Sequence, residues 1–100
     1  MDFVFRTMKL AKLYLEEKGV HRYPHSVVDR FFEPMSIIAA AEDERAFYAL
    51  KSLHYEKLHN YKGYVEARSM RLNRQFRLIL EIRADDDGKY VFVIDIDDYH

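Results

Sequence analysis

The sequence predicts an α+β fold in which helices lie together on one face of a small, mainly antiparallel sheet. Three observations carry this expectation. Apolar residues follow a helical period up to Leu58 and a period of two beyond it. A short alternating segment, Asp2-Phe3-Val4-Phe5, precedes the helical part and reads as a first strand. The 100 residues are 49% hydrophobic and 15% aromatic, enough for one core but not two, so residues 1–100 are expected to form one domain.

After the first strand, Thr7 has the side-chain oxygen to cap a helix through Met8, Ala11, Tyr14 and Leu15, with Gly19 as its stop. A second helix is expected to begin near Pro24 to Ser26 and to place Val27, Val28, Phe31, Phe32, Met35 and Ile38 on one stripe. Pro34 lies within that stripe. It removes the hydrogen bond to the Arg30 carbonyl, so a kink or split is expected there. Asp43 is placed to cap a short helix from Glu44 to Lys51 whose apolar residues are Ala46, Phe47 and Leu50.

In the second half, Met70 and Leu72 alternate with Ser69, Arg71 and Asn73, while Phe76, Leu78, Leu80 and Ile82 alternate with Arg77, Ile79 and Glu81. Asp87-Gly88 predicts a hairpin turn into a last strand, with Tyr90, Phe92, Ile94 and Ile96 on one face and Val91, Val93 and Asp95 on the other. Apolar residues on both faces suit the sheet interior. The order is one strand, helices, then a C-terminal meander of three strands, which gathers the helices on one sheet face.

Register follows from the same pattern, because a slip of one residue exchanges core and solvent faces. A two-residue turn at Asn73-Arg74 would pair Leu72 with Gln75 and mix the faces. A three-residue loop, Asn73-Arg74-Gln75, pairs Leu72 with Phe76 and Met70 with Leu78. It also sets Arg71 opposite Arg77. Like charges facing across strands cost up to about 1 kcal/mol, so an anion is expected beside them: a bound phosphate, Glu81, or one of the tail aspartates Asp95, Asp97 and Asp98.

Net charge is only −1, but it is unevenly spread. Residues 51 to 83 hold eight lysines and arginines against three glutamates, and residues 84 to 100 hold one lysine against six aspartates. A basic segment beside an acidic tail suits phosphate binding or two strands whose charges cancel. With no cysteine, the chain has neither a disulfide framework nor a thiolate zinc site. His54 and His59 are not at i, i+4 spacing, Pro24 separates His21 from His25, and Asp85-Asp86-Asp87-Gly88 lacks the alternation of a calcium loop. No metal or cofactor is expected. The apolar start, Met1 to Phe5, is too short for a membrane span, and the cytoplasm is the expected compartment.

Three stretches resemble the RelE/ParE toxins of bacterial type II toxin–antitoxin pairs, and among them the HigB-like killer proteins. They are the segment from Asp43 to His54, the segment from Ser69 to Arg77, and the terminal Asp98-Tyr99-His100. The leading strand and helical hairpin extend the likeness over nearly the whole chain. The resemblance implies a RelE-like fold and a ribosome-dependent mRNA endonuclease, an mRNA interferase that inhibits translation. Its implied partner is a HigA-like helix-turn-helix antitoxin, through which alone it reaches operator DNA. Arg77, Arg71, Tyr99 and His100 match the family's site. Lys62 before Gly63 matches its lysine, with Lys57 as the competitor, and His59 corresponds to a histidine upstream. Arg68 and Arg74 complete the basic segment as RNA contacts. Arg74 and Pro34 depart from the family pattern, as does the net charge. Two other activities come from the same superfamily: inhibition of DNA gyrase by ParE-like members, and an inactive toxin acting only with its antitoxin in operon repression.

Cleaving RNA without metal requires deprotonation of a ribose 2'-hydroxyl, stabilisation of charge on the phosphate, and protonation of the leaving 5'-oxygen. Forked guanidinium groups at Arg77 and Arg71 suit the phosphate. His100 suits proton transfer near neutrality, Tyr99 suits orientation or base stacking, and Lys62 or Lys57 suits charge neutralisation.

Overall fold

The computed structural model describes residues 1–98, which form a five-stranded mixed sheet. Strand β1 (Asp2–Phe5) pairs in parallel with β5 (Gly88–Asp97). From β5 the sheet continues antiparallel through β4 (Arg77–Asp85) and β3 (Arg68–Arg71) to β2 (Glu56–Lys57). β5 is interior, as its two apolar faces require. β2 is an addition to the expected three-strand meander. Its two residues are exposed and carry no apolar alternation by which it could be foreseen.

Helix α1 (Met8–Glu16) starts at Thr7, whose side-chain oxygen accepts from the Leu10 amide at 3.3 Å. It stops before Gly19. Glu17 adopts a left-handed φ of 54° and its amide returns to the Leu13 carbonyl. Gly19 instead precedes a 3-10 turn, Val20–Arg22. Helix α2 (His25–Ala40) runs unbroken through Pro34, so the expected split does not occur. Val27, Phe31, Met35 and Ile38 are all buried along it, each contributing about 1.5–3 kcal/mol, and together they outweigh one missing backbone bond. Helix α3 is shorter than expected, Arg45–Ala49, and passes into a second 3-10 turn, Lys51–Leu53. Asp43 still marks its start, accepting from the Arg45 amide at 2.9 Å.

The loop at Asn73-Arg74-Gln75 has the expected three residues: Met70 faces Leu78, Arg71 faces Arg77, and the Leu72 amide reaches the Phe76 carbonyl at 3.0 Å. Asn73 caps the loop by accepting from the Gln75 and Phe76 amides at 2.9 and 2.7 Å. The β4–β5 turn falls one residue earlier than Asp87-Gly88, because Asp85 pairs with Gly88 and encloses Asp86 and Asp87. The faces of β5 also differ from simple alternation. Ile79 pairs with Asp95 and Leu80 with Val93, so Ile94 is the extra residue of a β-bulge. The bulge puts Val91, Val93 and Ile96 together on the helix side and leaves Ile94 on the other.

Two apolar clusters result. The larger packs Leu10 and Leu13 of α1, the α2 stripe and Phe47 of α3 onto Met70, Leu78, Leu80, Val91 and Val93, so the three helices share one sheet face. The smaller lies on the opposite face, where Leu58, Tyr61 and Ala67 cover Ile79 and Ile94. Among the described residues no helix is long and apolar enough to cross a membrane.

Candidate functional site

The opposite sheet face, away from the helices, gathers Arg71, Arg77, Ser69, Glu56 and Asp97. Strand alternation puts them there: Leu78, Met70 and Ile96 turn to the helices, so their neighbours in sequence turn away. Arg77 crosses two strands. Its Nε donates to Ser69 Oγ at 2.6 Å, its Nη2 donates to the His54 carbonyl at 2.5 Å, and the Glu56 carboxylate lies 3.3 Å from the same nitrogen. The side chain is only 15% exposed, whereas that of Glu56 is 61% exposed. Burial lowers the Arg77 pKa from its ordinary value; Glu56 opposes that shift and Arg71 adds to it.

The like-charged pair is separated in two ways. Arg77 turns toward Glu56, and Arg71 turns toward the hairpin, where Nε donates to the Asn73 carbonyl at 3.3 Å and Nη1 approaches His54 Nε2 at 3.5 Å. The anion beside them is therefore Glu56. Glu81 instead pairs with Arg83, and Asp97 lies 3.5 Å from Lys62 Nζ and accepts from the Tyr61 hydroxyl.

Lys62 owes its place to a tight turn. Tyr61 and Tyr64 bridge each other, and Lys62 and Gly63 both adopt positive φ, 49° and 93°, as the central residues of primed hairpin turns do. Asp97 pairs with Arg77 across the strands, so Lys62 stands one residue pair from the guanidinium. Lys57 does not join this group. It pairs with Arg68 in register, one residue out of phase with Glu56 and Ser69, and its Nζ lies 3.4 Å from Glu66. Arg68 shares the helix-side phase of Met70 and sits 3.6 Å from Glu44. His59 and Arg74 are exposed on separate loops. Tyr99 and His100 lie outside the described residues; β5 ends at Asp97 opposite Arg77, and Asp98 accepts from Gln75 Nε2 at 2.8 Å.

Sequence reasoning missed His54 and Glu56 as members of this site. His54 has a left-handed φ of 46°, which turns its carbonyl to Arg77. Ser69, buried yet polar on a strand, is a signal that a side-chain partner exists. Chemically, the face holds a fixed guanidinium, a solvent-facing carboxylate beside it, and two further cations. Among the described residues no cluster of His, Asp and Glu has the makings of a metal site.

No protein-family model and no curated protein sequence matches this chain. Among solved structures, a YoeB/ParE toxin from Agrobacterium tumefaciens is similar to it, with a TM-score of 0.59 over 100% of both chains. The chain has the RelE/ParE toxin fold. Sequence identity to that toxin is 14%, so the likeness is one of architecture. Within the RelE/ParE fold, the face that carries Arg77 and Glu56 is the one the helices leave open.

Proposed function

We propose that this protein is the HigB-like toxin of a type II toxin–antitoxin pair and acts in the cytoplasm as a metal-independent endoribonuclease on translating mRNA. The observation that carries the proposal is the anchored Arg77 guanidinium with the exposed Glu56 carboxylate 3.3 Å away. A scissile phosphate takes the place beside Arg77 that Glu56 now neutralises, with Arg71 and Lys62 supplying further positive charge. Glu56, displaced but adjacent, accepts the 2'-hydroxyl proton. The 2'-oxygen then forms its bond to phosphorus as the bond to the 5'-oxygen breaks, and His100 protonates that oxygen. The products are a 2',3'-cyclic phosphate and a 5'-hydroxyl. Tyr99 orients the ribose or stacks on the base. The RelE/ParE fold supports the toxin assignment, and with it a HigA-like helix-turn-helix antitoxin that covers the toxin and brings it to operator DNA.

Primer extension on mRNA after induction, run beside a gyrase supercoiling assay, tests this reading. Cuts that depend on ribosomes and vanish when His100 is deleted are expected. Intact mRNA with blocked supercoiling overturns it in favour of a ParE-like activity, and loss of neither function points to a member active only with its antitoxin.

A further inference from the structure

Arg71 borders a second feature, a cleft of about 440 Å3 between α2, the Lys51–Leu53 turn and the hairpin loop. Its volume falls within the roughly 300–1,000 Å3 of small-ligand sites. Helix α2 contributes Ser26, Arg30, Glu33 and Pro34, whose spacing puts them on one helical face. The hairpin contributes Arg71, Asn73 and Arg74. Asn73 Nδ2 donates to Ser26 Oγ at 2.9 Å, which ties the two walls together.

The charges of this cleft are available. Arg77, Arg68, Lys57, Lys62 and Arg83 all stand in ion pairs, whereas Arg30, Glu33 and Arg74 have no ion-pair partner among the described residues. Three guanidinium groups thus surround one carboxylate in a concave, polar site. Arg71 connects it to Arg77 directly across the strands. Arg71, which lines the cleft and pairs in register with Arg77, is thus the residue through which an RNA held at Arg77 would meet it.

We propose that this cleft is a nucleotide subsite selective for guanine. Arg30 and Arg74 hold the adjoining phosphate through charge-assisted hydrogen bonds. The Glu33 carboxylate accepts from N1–H and N2–H of the guanine Watson–Crick edge. Guanine alone offers two adjacent donors there; adenine and cytosine set an acceptor beside their amino group, and uracil flanks its single donor with carbonyls. The inference rests on the endoribonuclease reading for the identity of the polymer.

The test is an NMR titration of the labelled protein with uncleavable 2'-O-methyl trinucleotides that differ at one base. A guanine trinucleotide is expected to bind about 10-fold tighter than its adenine, cytosine or uracil counterparts, the size of one good bidentate contact. Amide shifts are expected at Ser26, Arg30, Glu33 and Asn73. Glu33→Gln should erase the preference, and Arg30→Ala and Arg74→Ala should each weaken all four trinucleotides about 5-fold. Equal affinity for the four bases, a preference that survives Glu33→Gln, or an acidic peptide occupying the cleft in place of RNA overturns the proposal. The titration needs no cleavage. Guanine binding here with intact mRNA refutes the nuclease reading alone, and mRNA cleavage without any guanine preference refutes the subsite alone.

Discussion

Glu56 and Arg77 face each other at 3.3 Å on the open side of the sheet, the carboxylate mostly in solvent and the guanidinium mostly covered. On the proposed reaction Glu56 is both the counter-ion that phosphate displaces and the carboxylate beside Arg77 that accepts the proton. Glu56→Gln keeps the size and removes both properties. Turnover is expected to fall about 100-fold or more, as for loss of a general base, while KM for mRNA falls because Arg77 no longer has a competing anion. Steady-state cleavage of ribosome-bound message measures both, and an unchanged turnover would remove Glu56 from the chemistry.

Arg77 also holds the fold. It is the acceptors around it, Ser69 Oγ on a fully buried residue and the His54 carbonyl, that make truncation costly. Arg77→Ala leaves them without that donor, and a loss of about 1–3 kcal/mol is expected in urea denaturation. Arg77→Lys separates function from stability. It retains the charge but cannot donate to both acceptors in a fork, so cleavage should drop steeply while stability falls less. Wild-type cleavage by the lysine variant would show that charge alone suffices.

Much of this arrangement was legible before the structure, and the exceptions have physical causes. The facing of Arg71 and Arg77 followed from keeping Met70 and Leu78 on one side of the hairpin, because a buried face fixes register. The faces of β5 did not follow, since the bulge at Ile94 depends on how β4 and the loop above it pack. β2 has two exposed residues and owes its existence to pairing with Ser69 and Arg68. α2 stays continuous through Pro34 because burial of Val27, Phe31, Met35 and Ile38 outweighs its one lost backbone bond, a tertiary effect that local preference does not report. His54 reaches the site through a backbone carbonyl, which no side-chain motif reports.

The Tyr61–Asp97 contact predicts a pH dependence. Burial pushes the Asp97 pKa up, but the Tyr61 hydroxyl, the Asp98 amide and Lys62 outweigh it and hold the carboxyl below its ordinary value. A depressed folded pKa contributes stability above the unfolded value, about 3.9, and that stability is lost as pH falls through the folded one. The Tyr61 pKa is raised, chiefly by burial and then by Asp97, so its contribution persists up to its ordinary value of about 10. Tyr61→Phe should therefore cost about 1 kcal/mol at pH 7 and progressively less at pH 3. Urea denaturation at the two pH values checks this, and an equal cost at both would contradict it.

Asp43 offers a cleaner titration. The Arg45 guanidinium and then the Arg45 amide hydrogen-bond its carboxylate and hold its pKa at about 2, at the start of α3. Carbon-detected NMR should find that midpoint, and Arg45→Ala should move it up toward the ordinary carboxylate range. A wild-type midpoint already in that range would mean the pair does not persist in solution.

Phase along the sheet favours Lys62 over Lys57 for the proposed reaction. Glu56 pairs with Ser69 and shares the face of Arg77, so Lys57, the next residue, points to the other side and meets Glu66. Lys62 arrives from a turn above Arg77's own face and meets Asp97, the residue paired with Arg77. On the proposed reaction an approaching phosphate draws Lys62 from Asp97 on the same face, whereas Lys57 would have to leave Glu66 and come round the edge strand β2. Lys62→Ala is therefore expected to reduce cleavage about 10-fold to 100-fold, at or below the low end for a buried donor because the side chain is 71% exposed and screened by solvent. Lys57→Ala should change it less than about 2-fold and cost only the small stability of an exposed ion pair. Rates measured in parallel for the two variants check the assignment, and the reverse order would move the phosphate to the helix side of the sheet.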